Sequence, residues 1–175
     1  RKAPRSEKES RRWETQAIEV SRRFAAAHVI HIMDQEADDF VLFAELAREG
    51  LRFVVRGTSA RLLERDGDNV QFVLDAQGSQ VFRTVPLSMR SKSKGAKNRK
   101  SHPPRRERNA ALHIRWTPLV IAKPQHAQSD TASVTLWVLQ VFEPDPPTGE
   151  APIQWTLFTS EPVDDLASAT AVVDH

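Results

Sequence analysis

Apolar and polar positions change their period along this chain, and the change divides it. From residue 6 to residue 27, Trp13, Ala17, Val20 and Phe24 recur at helical intervals behind Ser6 and Glu9 at capping-box spacing, which predicts an amphipathic helix. Residues 28–33 form a continuous β-branched run, the pattern of a strand buried on both sides. Asp38 or Asp39 then caps a second helix, with Asp38 the expected cap; Phe40, Phe43, Ala44 and Ala47 are its buried stripe and Gly50 its stop. Leu51 to Arg56 returns as a strand. Helix, strand, helix, strand within 60 residues is a βαβ-type unit with parallel strands.

After Gly57 the period shortens. Val70–Leu74, Gln80–Val85, Ala110–Trp116, Val134–Phe142 and Ile153–Phe158 read as short strands in antiparallel arrangement. Two stretches punctuate them: the low-complexity segment Ser91–Pro104, expected as a mobile loop between strands, and Pro144–Gly149. From Asp164 the pattern is helical again, with Leu166, Ala169, Ala171, Val172 and Val173 on the apolar side. The chain starts without Met and stops inside this helix, so a piece of a longer protein is expected.

Composition narrows the chemistry. With 175 residues and 39% hydrophobic positions, one core is within reach. Without cysteine, any metal must be held by oxygen or imidazole, which favours Mg²⁺ or Mn²⁺. No apolar stretch approaches the roughly 20 residues of a membrane span, and no signal-type run follows the charged start; a soluble, intracellular protein is expected. Charge is distributed unevenly. Between Arg90 and Arg108 nine basic residues face Glu107 alone, a local +8, so the remainder carries −6 to reach the net +2. Such a field suits a polyanion. His28, His31, His102, His113, His126 and His175 show no paired ligand spacing, and His31, between Ile30 and Ile32, reads as a satisfied core residue. Neither a phosphate-binding glycine loop nor a nucleophilic serine motif is visible.

The candidate chemistry lies directly after the first strand, in Asp34-Gln35-Glu36-Ala37-Asp38. A carboxylate at a strand's carboxyl end is rigidly held where α/β folds assemble their sites, which makes Asp34 a candidate metal ligand, with helix capping as the alternative. Arg56 ends its strand on the same edge, where a guanidinium can grip a phosphate or a surface carboxylate.

Three blocks in collinear order resemble the bacterial IS4-type DDE transposases, most closely the Tn5 transposase group. Asp34-Gln35-Glu36-Ala37-Asp38 is similar to the family's Asp-Arg-Glu-Ala-Asp motif behind an apolar strand. Arg52-Phe53-Val54-Val55-Arg56 resembles the strand that follows it at the same distance. Pro146-Pro147-Thr148-Gly149-Glu150, then Trp155 with Thr159-Ser160-Glu161-Pro162-Val163, resembles the segment leading out of the family's β-rich insertion. The likeness runs from about residue 7 to residue 175. Gln35 departs from it, replacing the family's Arg and removing a positive charge beside the motif.

The resemblance implies an α/β fold with an RNase H-like core, a mixed sheet with flanking helices, interrupted by a β-rich insertion subdomain. Residues 1–58 would be core, 59–152 the insertion with its basic loop 90–108, and 153–175 the return to the core. It implies three carboxylates on two divalent metals, Mg²⁺ or Mn²⁺, which activate the attacking oxygen and neutralise the leaving one from about 3.5–4 Å apart. Asp34 would be the catalytic carboxylate and metal ligand shared by the two ions, with Glu36 and Asp38 as possible partners around it. The family's first Asp would precede residue 1, and its Tyr, Arg, Glu, Lys signature would begin beyond His175, so this chain by itself is expected not to cleave DNA.

DNA contacts would come from Arg56 to a phosphate, from Trp155 stacking on a flipped base, and from Arg90, Lys92, Lys94, Lys97, Arg99, Lys100, Arg105 and Arg106 along the backbone. Trp13, Trp116 and Trp137 are expected to pack. Homodimerisation in a synaptic complex on the transposon end, a bacterial cytoplasmic location at the nucleoid and no membrane partner complete the expectation. A non-catalytic DNA-binding remnant of such a gene is the competing reading, and an unrelated RNase H-like nuclease a third, which leaves the β insertion without a role.

Overall fold

In the computed structural model the described residues are 9–24, 29–63, 68–91 and 104–175. They form a mixed α/β structure: one six-stranded sheet with helices on both faces. The strands are β1 (Ile30–Met33), β2 (Arg52–Gly57), β3 (Gln80–Leu87), β4 (Arg108–Ala122), β5 (Ser133–Phe142) and β6 (Gln154–Thr159), in the order β1-β2-β6-β5-β4-β3. Only β1 and β2 are parallel; the other neighbours are antiparallel. The strands of residues 59–152 therefore extend the same sheet that β1 and β2 begin, with β6 joining the two halves.

Helix α1 (Glu9–Arg23) and α2 (Phe40–Arg48) cover one face together with the short α3 (Val70–Asp75). Their core centres on Phe43, Phe53 and Phe158, each fully buried, with Phe43 stacked on Phe53 at 6.0 Å and tilted against Phe158 at 5.6 Å. Helix α4 (Leu166–Asp174) covers the other face through Ala169 and Val172. Asp165 starts it with a capping box to Ser168, whose backbone N–H and hydroxyl hold the Asp165 carboxyl below its usual range.

Several expectations are corrected. Val70–Leu74 is helical: Asn69 caps it by accepting the Phe72 N–H at 2.9 Å, and Val70 and Leu74, four apart, bury one side. Gln71 and Asp75 occupy the same interval, and together they bind a buried pair on the sheet. Arg115 donates to Gln140 at 2.9 Å and to Asp75 at 2.6 Å, and Gln140 donates to Gln71 at 2.8 Å. A five-residue, mostly apolar stretch fits either period, and these long-range partners select the helix.

The first strand is not buried on both sides, because β1 is an edge strand and Ile32 is 50% exposed. Among the described residues α1 spans Glu9–Arg23, and Phe24 has already left it; Ser6 and Ala25 to His28 lie outside the described residues. Of its expected buried face Ala17 is buried and Trp13 packs against the core, whereas Val20 and Phe24 are 37% and 56% exposed. Ala47 and Ala171 face solvent, and Leu42 and Leu46 are buried in α2 instead. Asp39, not Asp38, caps α2, accepting the Val41 N–H at 2.7 Å. Gly50 does stop that helix, at φ +65, and Gly149 turns the β5–β6 connection at φ +83. Strand β4 runs well beyond the predicted Ala110–Trp116; Pro118 is tolerated there because it lies past Ile114, the last β4 residue in its direction paired to β3.

His31 is half-buried against α1, its Nε2 2.8 Å from the Ser21 hydroxyl, and burial pushes its pKa below 6.5. Above the unfolded value both states are neutral and the fold keeps its full stability; as pH falls through 6.5 the unfolded chain takes up the proton first, and stability drops until the folded value is passed. The urea midpoint is therefore expected to fall between about pH 7.5 and about pH 5.5, with a smaller fall in His31→Gln. An equal fall in that variant would show that other groups carry the effect.

Candidate site at the carboxyl edge of the sheet

The strand directions bring one edge of the sheet together from distant parts of the sequence. The ends of β1, β2, β3 and β5 and the starts of β4 and β6 all lie on it. Asp34 follows the last β1 residue, Arg56 is next to last in β2, and Trp155 is second in β6. Alternation within the strands also gives these three a common face. Val54 is opposite Thr159 and Arg56 opposite Leu157, so Trp155 follows on the same side; Ile30 and Ile32 pair with Arg52 and Val54, and Asp34, still extended at φ −80 and ψ 178, continues that series. This is the face that α4 covers at its centre.

Asp34 is open to solvent. Its Oδ1 accepts the Gln35 N–H at 2.7 Å and lies 3.9 Å from a terminal nitrogen of Arg56, with the two side chains 73% and 51% exposed. Such a pair contributes about 0–1 kcal/mol. Either member can therefore be drawn to a stronger partner at little cost, the guanidinium to a phosphate or the carboxylate to a cation. Glu36 is exposed in the first turn behind Asp34.

Asp38 is different, with only 7% of its side chain exposed. It accepts the Thr58 N–H at 2.8 Å and pairs with Arg61, which sequence spacing did not single out. Among the described residues no three His, Cys, Asp or Glu side chains form a group able to hold a metal ion. Asp34 is a hard oxygen donor of the kind Mg²⁺ or Mn²⁺ takes, but Asp38 is already engaged, so the described residues offer a cation at most this one carboxylate at the sheet edge.

Trp155 is half-buried, packed in part against the apolar cluster under α4 and opposite Val141. Trp116 and Trp137 pack against the same cluster and Trp13 against the opposite one, as expected for packing residues. Of the basic segment, Lys92, Lys94, Lys97, Arg99 and Lys100 lie outside the described residues. Arg90 and Arg105 close its base through paired backbone hydrogen bonds of 2.9 and 3.1 Å. Arg105 also donates to the Ser88 carbonyl at 2.9 Å, and the exposed Arg106 gives its backbone N–H to Glu150 at 3.3 Å.

Below them Arg108 and Glu143 form a buried ion pair, side chains 11% and 4% exposed, that ties the start of β4 to the end of β5. The edge is staggered: Asp34, one past Met33, is level with Arg56, Leu157, Leu139 and Trp116, and Arg108 lies eight residues beyond Trp116 along β4. With strands about 4.8 Å apart and about 3.4 Å per residue, Asp34 and Arg108 are roughly 33 Å apart, the rise of about ten base pairs.

The sequence blocks also meet in space. Arg52 pairs with Glu161 and holds that carboxyl below its usual range; the Thr159 hydroxyl donates to the Phe53 carbonyl at 2.7 Å, and Ser160 Oγ accepts the Phe53 N–H at 3.0 Å. The missed partners, Arg61 for Asp38 and Glu143 for Arg108, lie 23 and 35 residues away from them. No local period connects such pairs; the only hint was an acidic residue, Glu143, directly after the apolar strand Val134–Phe142. Among the described residues no helix is long and apolar enough to cross a membrane. No protein-family model matches the chain.

Proposed function

We propose that this chain is the central part of a bacterial cut-and-paste DNA transposase of the IS4 type, an RNase H-like core carrying a β-rich insertion, and that its sheet edge is a DNA-backbone surface. The observation that carries the reading is the convergence of Asp34, Arg56 and Trp155 on one face of one edge, with the base of the +8 segment at that same edge. The mutual engagement of the Arg52–Arg56 and Thr159–Val163 blocks supports it further. Arg56 neutralises a phosphate once released from its weak pair with Asp34. Trp155 offers the open part of its indole to a base at a transposon end, and the basic segment tracks the backbone without reading sequence. Asp34 gives one oxygen ligand to Mg²⁺ or Mn²⁺, and DNA cleavage and joining require further carboxylates, in a homodimeric assembly on the DNA.

The test is binding of the chain to a labelled duplex across a salt series. The association constant is expected to fall linearly with salt on logarithmic axes, by about 0.9 in slope for each neutralised phosphate. Arg56→Ala lowers that slope by about 1, removal of residues 91–104, which spares the Arg90–Arg105 bridge and the buried Arg108–Glu143 pair, lowers it by several, and added Mg²⁺ produces no nicking. A salt slope unchanged by the deletion counts against the basic segment, and robust Mg²⁺-dependent nicking abolished by Asp34→Asn overturns the view that this chain lacks a complete catalytic set.

A further inference from the structure

We infer that Asp38 and Arg61 form a clamp that sets the spacing of Asp34 and Arg56, making both positioning residues for the DNA-facing edge. The parallel ladder between β1 and β2 ends at Met33 and Val55, so the working pair stands just beyond the last paired residues. Arg56 is still held by β6, opposite Leu157, but Asp34 lies beyond every ladder, so something else must hold it against β2. The Asp38 carboxylate does so from the far side of a single 3₁₀ turn, Gln35–Ala37, that starts on Asp34: the Ala37 N–H bonds the Asp34 carbonyl at 2.9 Å and the Asp38 N–H bonds the Gln35 carbonyl at 3.1 Å. One carboxylate oxygen accepts the Thr58 N–H at 2.8 Å, two residues after Arg56, and the other takes Arg61, which also donates to the Asp38 carbonyl at 2.9 Å.

Arg61 is immobilised in turn. Its guanidinium lies 5.2 Å from the Phe43 ring centre and 5.8 Å from that of Phe158, so α2 and β6 fix the cation that fixes the carboxylate. Gly57 completes the arrangement by leaving room: a Cβ there would stand 2.4 Å from Phe158 Cε2 and 3.0 Å from Asp38 Oδ2. The turn carrying Asp34 and the strand exit carrying Arg56 are thus stapled to one buried point on the opposite face of the sheet.

The inference rests on the proposed function only in taking Asp34 and Arg56 as the working pair. In Asp38→Asn an amide NH₂ must face either the Thr58 N–H or Arg61, donor against donor, while Arg61→Lys keeps the charge and loses the planar fork. Nitrogen relaxation on the whole chain is expected to show the Gln35, Gly57 and Thr58 amides falling from about 0.85 in order parameter toward about 0.6 in Asp38→Asn, less in Arg61→Lys, with β4 and β5 unchanged. Unaltered order at Gln35 and Thr58 in both variants overturns the clamp.

A second readout separates positioning from mere stability. The loss of DNA affinity caused by Arg56→Ala is expected to shrink by about threefold or more in the Asp38→Asn background, because coupled residues are not additive. An undiminished loss there overturns the positioning role and leaves the DNA reading standing. If Arg56→Ala alone has no effect, the proposed function is what fails, and relaxation decides the clamp. If Asp38→Asn does not fold, Arg61→Lys carries both measurements.

Discussion

Gly57→Ala is expected to lower the unfolding midpoint by roughly 5–10 °C, a loss of about 2–3 kcal/mol, while Gly78→Ala stays within about 0.5 kcal/mol of the parent. The two glycines look alike in the sequence. At Gly78 an added Cβ meets nothing within 4 Å; at Gly57 it would overlap Phe158 Cε2 at 2.4 Å and Cδ2 at 2.6 Å. Phe158 is fully buried and cannot swing away, because Phe43 and the Arg61 guanidinium already lie against its ring. Either the ring leaves its rotamer or β2 shifts, and a shift of β2 moves Arg56 and Thr58 with it. Thermal unfolding followed by circular dichroism checks the stability, and near-parent behaviour of Gly57→Ala would show that the ring has room the packing does not suggest.

Glu143→Ala is expected to cost about 3–5 kcal/mol, because it leaves a buried guanidinium without its counter-charge. Glu143 accepts from both terminal nitrogens of Arg108 and from the Ile153 N–H at 3.3 Å, and its own N–H bonds the Ile153 carbonyl at 2.9 Å, so one side chain joins the start of β4, the end of β5 and the approach to β6. Arg108 also has a buried Nε with no partner among the described residues, so the pair is already incompletely satisfied. Replacing both members with apolar residues, Arg108→Met with Glu143→Leu, is expected to recover most of the loss. Glu45→Ala, which removes the partner of the solvent-exposed Arg48, is expected to cost far less. Urea unfolding of the three variants beside the parent checks the series; equal losses in Glu143→Ala and Glu45→Ala would mean that the buried pair is as well hydrated as the one at the surface.

The parallel β1–β2 unit was legible because it is local: a strand, a short helix stopped by Gly50 and a second strand fall within 28 residues, each with its own period and punctuation. The same holds for the helix from Leu166, whose cap chemistry stands beside it. Misreadings cluster where a residue's environment comes from far along the chain. Val70–Leu74 has the composition of a strand, yet Gln71 and Asp75 dock on Arg115 and Gln140, which local reading cannot see. Ile32 belongs to an apolar run, but at the sheet edge one of its faces has no helix above it.

The candidate site divides in the same way. Asp34 at a strand end, Arg56 at the next one and the charge of the basic segment are properties of the chain order itself, since an extended strand delivers its last residues to the sheet's edge whatever surrounds it. Their arrival on one face beside Trp155 depends on β6 pairing with β2 in one register, because a slip of one residue would turn the indole to the opposite face. Only the tertiary structure separated Asp34 from Asp38, two carboxylates four residues apart in one motif. Burial against Arg61 and Thr58 commits the second to holding the fold, whereas the first, in water with a weak partner, remains available for a ligand.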